Sequence, residues 1–175
     1  MKIKLTESQL KRILNEVGGY DDREIMSTHA GLLHGEINAR TIELISMLGT
    51  YINDLKGGDL DKDDVLAGVL NLTNTINSYI ERMKQLQSEI YLDDDFKELV
   101  NIFISKLRQV QKYFRLIANI NRTGSIQGMG GLGVDMGKTE LMLNISEKLS
   151  PLGKYIEKMG TMIATLVGRF SDRLN

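Results

Sequence analysis

The stretch from Gly128 to Glu140, GMGGLGVDMGKTE, ends in the Gly-Lys-Thr triplet that closes a phosphate-binding P-loop. A P-loop also needs a glycine that is separated from that triplet by four intervening residues, so that consecutive backbone amides surround one phosphate. That position is Leu132, and the stretch follows a helical pattern where a P-loop follows a strand. We therefore predict a glycine-rich linker that binds no nucleotide, with Thr139 capping the next helix.

The segment from Asp59 to Leu70, DLDKDDVLAGVL, partly matches a calcium-binding EF-hand loop. Its carboxylates occupy the first, third and fifth positions of that loop. The sixth position, where a glycine makes the sharp turn, is Asp64, and the twelfth, where a glutamate binds calcium with two oxygens, is Leu70. Aspartates are also typical of helix N-termini. We expect this segment to begin a helix and to bind no metal.

The histidines and potential nucleophiles form no catalytic pattern. His29 and His34 are five residues apart, which places them on different faces of a helix. The sequence has no cysteine and no Glu-x-x-His pair of the kind that binds iron in helical bundles. We expect surface or edge positions for both histidines, no metal, no cofactor and no enzymatic activity.

Positive charge is concentrated in one part of the chain. No acidic residue occurs from Leu99 to Val134, whereas five lysines and arginines do. Four of them share one outer helix face, and we call these four the cationic stripe: Arg108, Lys112, Arg115 and Arg122. Such a face is suited to docking nucleic acid, phosphate or an acidic partner. The alternative is an ordinary solvated face balanced by neighbouring acids.

The composition is that of a soluble globular protein with one domain. The chain has 175 residues, of which 42% are hydrophobic and 26% charged, and its net charge is −1. This balance gives no overall field that favours nucleic acid or a membrane surface. No apolar run approaches the ~18–20 residues of a membrane span. The N-terminus lacks the apolar core of a secretory signal.

The sequence pattern around these residues is mainly that of helices. Apolar residues recur at steps of four and three in four long runs, within 26–55, 65–90, 96–117 and 145–170. The fourth run consists of Ile145, Leu149, Leu152, Ile156, Met159, Ile163, Leu166 and Phe170. We predict an all-α protein, an antiparallel four-helix bundle with a short extra N-terminal amphipathic helix. The predicted core includes Leu44, Leu48, Leu72, Ile76, Phe103, Leu107, Val110, Ile156 and Ile163.

The links between the runs differ in length. KGGDLDKDD and YLDDDF are short, so the first three helices should be antiparallel. The third link, residues 123–138, is long and glycine-rich, and we expect it to be flexible. It permits either direction for the fourth helix, with up-and-down as the default. Pro151 lies inside the fourth run and predicts a kink or a break, or a fresh helix start at Ser150-Pro151.

The first 17 residues, MKIKLTESQLKRILNEV, form a separate segment that we call the leader. Thr6 and Gln9 fit a capping box, and Gly18-Gly19 separates the leader from the bundle, residues 20–175. The leader has a small apolar face for docking a partner: Ile3, Leu10, Ile13 and Leu14. A helix this short is marginal alone in water, so it needs its own bundle, another chain or, less favoured, a membrane surface.

The leader resembles the short N-terminal segments of structural and internal proteins of large contractile-tailed phages. The resemblance covers about a tenth of the chain. It implies that the leader directs the protein into the assembling head, and that a maturation protease cuts after a Leu/Ile-x-Glu triplet. Leu14-Asn15-Glu16 matches, directly before Val17. Two further triplets of this type occur, at 5–7 and 145–147, but only 14–16 lies at a junction between helix and linker.

From these observations we expect a non-enzymatic phage structural or internal head protein. Its partners would be other head proteins or further copies of itself, and it would be found in the virion or the host cytoplasm. The alternative is a helical adaptor or oligomerisation module without a viral role, located in the cytoplasm. A third reading is a nucleic-acid-binding bundle that uses the cationic stripe.

Overall fold

Four helices make up nearly all of the structure. The computed structural model of the protein describes residues 22–58, 61–88, 94–123 and 137–174. The helices are α1 (Asp22–Gly57), α2 (Lys62–Leu86), α3 (Asp94–Thr123) and α4 (Lys138–Leu174), and these ranges contain no strand. The predicted all-α bundle is confirmed. The leader and most of the glycine-rich link lie outside the described residues; α3 ends at Thr123 and α4 begins at Lys138.

Hydrogen bonds between neighbouring helices define their directions. The pairs are Thr41–Tyr79 and Tyr51–Val65 between α1 and α2, and Asn77–Gln111 and Lys62–Asn121 between α2 and α3. In each set the residue number rises on one helix as it falls on the other. The first three helices are therefore antiparallel, as their short links predict.

The direction of α4 follows from two glycines. A Cβ atom built on Gly160 would overlap the side chain of Thr41, and one on Gly153 would lie 3.3 Å from a methyl carbon of Leu48. Because the residue number falls along α4 as it rises along α1, these two helices are also antiparallel. The bundle has the up-down-up-down order that the long third link left open.

The described residues divide into two compact units. One is Ile37–Ile163, which contains the four-helix bundle core. The other contains the described residues on either side of it in sequence, 22–36 and 164–174. Within that second unit, His34 Nδ1 lies 2.7 Å from the carbonyl oxygen of Ala164, and Gly168 packs against the His34 ring. His34 is half-buried and His29 is exposed.

All nine core residues that the sequence predicts are at most 2% exposed. Burial contributes about 1.5–3 kcal/mol for each fully buried aliphatic or aromatic side chain, so these nine residues are a substantial part of a larger buried core. The stripes of α1, α2 and α3 are buried almost throughout because their spacing keeps one face of each helix turned inward.

Two polar groups in this core satisfy each other. Thr41 is 1% exposed and Tyr79 is 1% exposed. Their hydroxyl oxygens lie 2.6 Å apart, and 2.8 and 3.1 Å from the carbonyl oxygen of Ile37. The Tyr79 ring meets Phe103 edge to face at 5.4 Å. Because a buried hydroxyl without a partner is costly, this arrangement favours one register between α1 and α2.

A second tyrosine crosses from α1 to α2 near the other end of the bundle. The Tyr51 hydroxyl donates to the Val65 carbonyl oxygen at 3.0 Å, and its ring lies directly over Gly68. Phe114 meets that ring edge to face at 6.0 Å. Burial raises the pKa of the Tyr51 hydroxyl above its ordinary value.

The expectation of a break or fresh helix start at Ser150-Pro151 is wrong. α4 is one helix from Lys138 to Leu174 with Pro151 inside it. Proline removes a single backbone hydrogen bond, while Leu149 and Ile156 on either side are fully buried and hold both halves of the helix on the core.

Two smaller expectations for α4 are also corrected. Thr139 lies within the first turn and does not cap the helix, because the Gly137 carbonyl already accepts the first bond, from Leu141 N–H at 3.1 Å. Leu166 is 38% exposed, whereas its neighbour Val167 is fully buried. The inward face of α4 passes through Gly153 and Gly160, which the apolar pattern of the sequence does not include.

Candidate functional site: a cationic groove between α2 and α3

The cationic stripe lies on the solvent side of α3. All four of its residues are exposed, and they follow one another at intervals of four, three and seven positions. At 1.5 Å per residue the stripe extends for about 21 Å along the helix. The opposite face of the same helix is buried and contains Leu107, Val110, Phe114 and Ile117. The separation of charged and apolar faces is therefore the one that the sequence predicts.

None of the four stripe residues forms an ion pair with any residue in the described part of the chain. The one polar contact the structure gives them is a long bond within α3, from Arg122 Nη2 to Asn119 Oδ1 at 3.4 Å. Two ion pairs of the described helices, Lys84–Glu81 and Lys97–Asp94, do not involve the stripe. Within the described helices, no acidic side chain is therefore paired directly with the stripe.

An open groove of about 550 Å³ lies between the start of α2 and the second half of α3. We call it the α2–α3 groove. Its lining consists of Lys62, Asp63, Leu66, Arg115, Ala118, Asn119, Asn121 and Arg122. Arg115 and Arg122 from the stripe thus meet a third cation, Lys62, from the neighbouring helix. Three cationic side chains and one acidic side chain line the groove.

Local structure fixes where α2 begins and therefore where Lys62 lies. The carboxylate of Asp61 accepts hydrogen bonds from the backbone N–H groups of Asp63 and Asp64, both at 2.8 Å. This is an N-cap, and it satisfies two of the free amides of the first turn. Asp61, one of the calcium-like carboxylates, therefore caps a helix, and no cluster of three metal-binding side chains occurs among the described residues.

A buried amide ties the two sides of the groove together. Asn121 is 3% exposed, and its side-chain Nδ2 donates to the Lys62 carbonyl oxygen at 2.7 Å. Leu66 and Ala118 supply the apolar part of the lining, and Leu66 is 41% exposed. The backbone of Lys62 is therefore held against α3 while its side chain remains exposed at the groove.

The stripe and the groove coincide only in part. Arg115 and Arg122 line the groove, whereas Arg108 and Lys112 continue the positive charge along α3 beyond it. Sequence reasoning missed Lys62 because it considered α3 alone. The short link between α2 and α3 was the available signal, since an antiparallel pair must bring the start of α2 beside the end of α3.

A second, smaller groove lies between α1 and α4. It measures about 200 Å³ and lies near Gly49 and Gly153, with Lys56, Lys154 and Glu157 at its edge. Its charges are mixed, so it offers no single sign to a ligand.

The other sites that the sequence predicts cannot be placed. The processing triplet Leu14-Asn15-Glu16 with Val17, and the docking residues Ile3, Leu10 and Ile13, lie outside the described residues. The same is true of residues 128–136 of the P-loop-like stretch.

Comparison of the chain with protein-family models, curated proteins and solved structures finds no match in any of the three. Within the described residues, no helix combines the length and apolar character needed to cross a membrane.

Proposed function

We propose that the chain is a non-enzymatic structural or internal protein of a phage head, synthesised with a leader that is removed after Glu16. The observation that carries this proposal is the order of features along the chain. The triplet Leu14-Asn15-Glu16 ends the leader pattern, Gly18-Gly19 follows, and α1 begins at Asp22. A cut after Glu16 leaves all four helices on one product.

A second triplet of the same type lies in very different surroundings. Ile145-Ser146-Glu147 lies within α4, where Ile145 is 5% exposed and Ser146 is fully buried. A protease binds its substrate in an extended conformation, so this triplet would have to unfold from the bundle before it could be cut. Among the described residues, the bundle therefore offers no competing site of this kind.

In this proposal the leader and the bundle have different partners. The apolar face of the leader, Ile3, Leu10, Ile13 and Leu14, binds other head proteins during assembly. After cleavage the bundle remains in the particle, attached through its surface to head proteins or to other copies of itself. No step of this function requires catalysis, a nucleotide or a cofactor.

Mass analysis of purified mature particles tests the proposal. We expect a chain that begins at Val17. A Glu16→Gln variant should keep its leader, because the triplet ends in the carboxylate that the protease would recognise. Glu147→Gln is the matched control, since it makes the same change in a triplet that the bundle protects. The Glu147→Gln variant should still lose its leader. A mature chain that begins at Met1, or normal cleavage of the Glu16→Gln variant, contradicts the proposal.

A second candidate is a helical adaptor or oligomerisation module without a viral role. It is favoured by large apolar side chains that the described bundle leaves exposed, among them Ile42 at 61% and Leu70 at 63%. Sedimentation of the purified protein at several concentrations distinguishes this candidate. Reversible self-association that an Ile42→Ser or Leu70→Ser variant abolishes, together with absence from particles, would favour it.

A further inference from the structure

We propose that the α2–α3 groove and the adjoining part of the cationic stripe bind the phosphate backbone of duplex nucleic acid without reading its base sequence. This inference goes beyond the proposed function and does not rest on the leader. It rests on five exposed cations that the described helices leave without acidic partners: Lys62, Arg108, Lys112, Arg115 and Arg122.

The geometry of these cations fits a linear polyanion. Neighbouring stripe residues are three or four positions apart up to Arg115, which corresponds to steps of about 4.5–6 Å along α3. One strand of B-form DNA has a phosphate every ~3.4 Å along the duplex axis, and because the strand winds round that axis, the straight 21 Å stripe can contact only some of the roughly six phosphates within its length. Lys62 widens the positive surface at the end of the stripe where the groove lies. A single small anion could contact only part of this surface.

The lining of the groove favours a duplex over a single strand. Proteins that bind single strands usually stack bases on aromatic side chains. None of the described residues that line the groove is aromatic, and its apolar part is small, consisting of Leu66 and Ala118. Arginine and lysine without a stacking surface are suited to the phosphates of a duplex, whose bases are already stacked on one another.

The overall charge determines how strongly the protein is expected to bind a duplex. With a net charge of −1, the molecule produces little long-range attraction. Binding must therefore come from the local cations and should depend strongly on salt. If all five cations contact phosphates, the slope of log K against log salt should be about −4.5, which is a loss of about 500-fold in affinity between about 50 and 200 mM salt.

Fluorescence anisotropy with a labelled random-sequence duplex of about 20 base pairs, at several salt concentrations, measures this slope. Three double variants of the full chain are compared. The groove variant is Arg115→Gln with Arg122→Gln, the stripe variant is Arg108→Gln with Lys112→Gln, and the control is Lys148→Gln with Lys158→Gln. The control removes the same charge from exposed positions on α4.

We expect the groove and stripe variants each to reduce the slope to about −2.7, because two phosphate contacts are lost, and the control to retain about −4.5. All three variants should unfold at the wild-type temperature, since every substituted side chain is exposed. A scrambled duplex should bind as tightly as the first.

Several results would overturn the proposal. They are the absence of duplex binding at about 50 mM salt, an unchanged slope in the groove variant, and an equal loss in the control. Tighter binding of a single strand of the same length would assign the surface to another nucleic acid. Equal competition by a polyglutamate peptide of matched charge would assign it to an acidic protein.

Discussion

Leu107 has no exposed surface and lies at the centre of the buried face of α3. Replacing it with alanine removes three carbon atoms from a packed core and leaves a cavity, so Leu107→Ala should lower the free energy of unfolding by ~2–5 kcal/mol. Leu70→Ala is the control, because Leu70 is 63% exposed and its truncation should cost no more than about 0.5 kcal/mol. Urea denaturation followed by circular dichroism measures both. Equal losses of unfolding free energy in the two variants would mean that Leu107 contributes no more to the core than the exposed Leu70.

Glycines in the bundle should respond to alanine in opposite directions. A Cβ on Gly49 meets nothing within 4 Å, so Gly49→Ala should raise the free energy of unfolding by ~0.5–1 kcal/mol through helix propensity alone. A Cβ on Gly160 would overlap the buried Thr41 side chain, so Gly160→Ala should cost about 1–3 kcal/mol. Thermal unfolding of the two variants gives the comparison. A stabilising Gly160→Ala would show that α1 and α4 can separate without cost.

Tyr51 should make stability depend on pH in alkali. Burial raises its pKa in the folded state, while in the unfolded chain the hydroxyl titrates near ~10. Below that pH both states keep the proton and the stabilising contribution is complete. As the pH rises further, the unfolded state loses its proton first, so the free energy of unfolding falls.

Tyr51→Phe removes this titration and the hydrogen bond to Val65, which is expected to cost about 0.5–1.5 kcal/mol at neutral pH. Between about pH 10 and 12 the variant should lose stability less steeply than the wild type. Urea titrations at a series of pH values measure the slope, with Tyr155→Phe as a variant that loses a hydroxyl from an exposed ring. Parallel curves for wild type and Tyr51→Phe would contradict the burial argument.

At the scale of elements, the sequence predicted helix packing best where large side chains alone determine which face of a helix is buried. The stripes of α1, α2 and α3 could be predicted because large apolar residues mark the inward face. α4 was predicted less well. Gly153 and Gly160 lie on its inward face because they have no side chain to collide with α1, and a pattern of large apolar residues does not include glycine. The same limit applies to the groove, because Lys62 becomes part of it only through the pairing of two helices.

Pro151 provides a test of how α4 is held together. Proline in a helix interior is about 3 kcal/mol less favourable than alanine, and here it is exposed inside a continuous helix. Pro151→Ala should therefore raise the free energy of unfolding, by up to about 3 kcal/mol if α4 straightens without moving Leu149 or Ile156. Chemical denaturation measures the change. A loss of stability would indicate that the packing of α4 on α1 depends on the proline.

At the scale of the whole molecule, a nearly neutral chain has a strongly uneven distribution of charge. The segment from Leu99 to Val134 has no acid, so the negative charges that balance its five cations lie elsewhere in the sequence. Solubility and long-range attraction follow the total charge, whereas contact with a polyanion follows the local cations. The proposed nucleic-acid binding and the proposed packaging into a head therefore rest on different parts of the chain, the first on the bundle surface and the second on the leader.

That separation predicts how the chain behaves when the leader is removed. A protein lacking residues 1–16 keeps all four described helices and the buried side chains that pack between them. Its free energy of unfolding should therefore differ from that of the full chain by less than about 1 kcal/mol, since the leader's apolar face is too small to contribute a large part of a core. Its affinity for duplex nucleic acid should also be unchanged.

Parallel urea denaturation of the two chains measures the difference, and Leu107→Ala in each serves as a check that the same core is being unfolded. A loss of several kcal/mol on removing the leader would mean that Leu10, Ile13 and Leu14 pack into the bundle as a structural helix. In that case a cut after Glu16 would destabilise the mature protein, and the leader's resemblance to a removable phage segment would have to be abandoned.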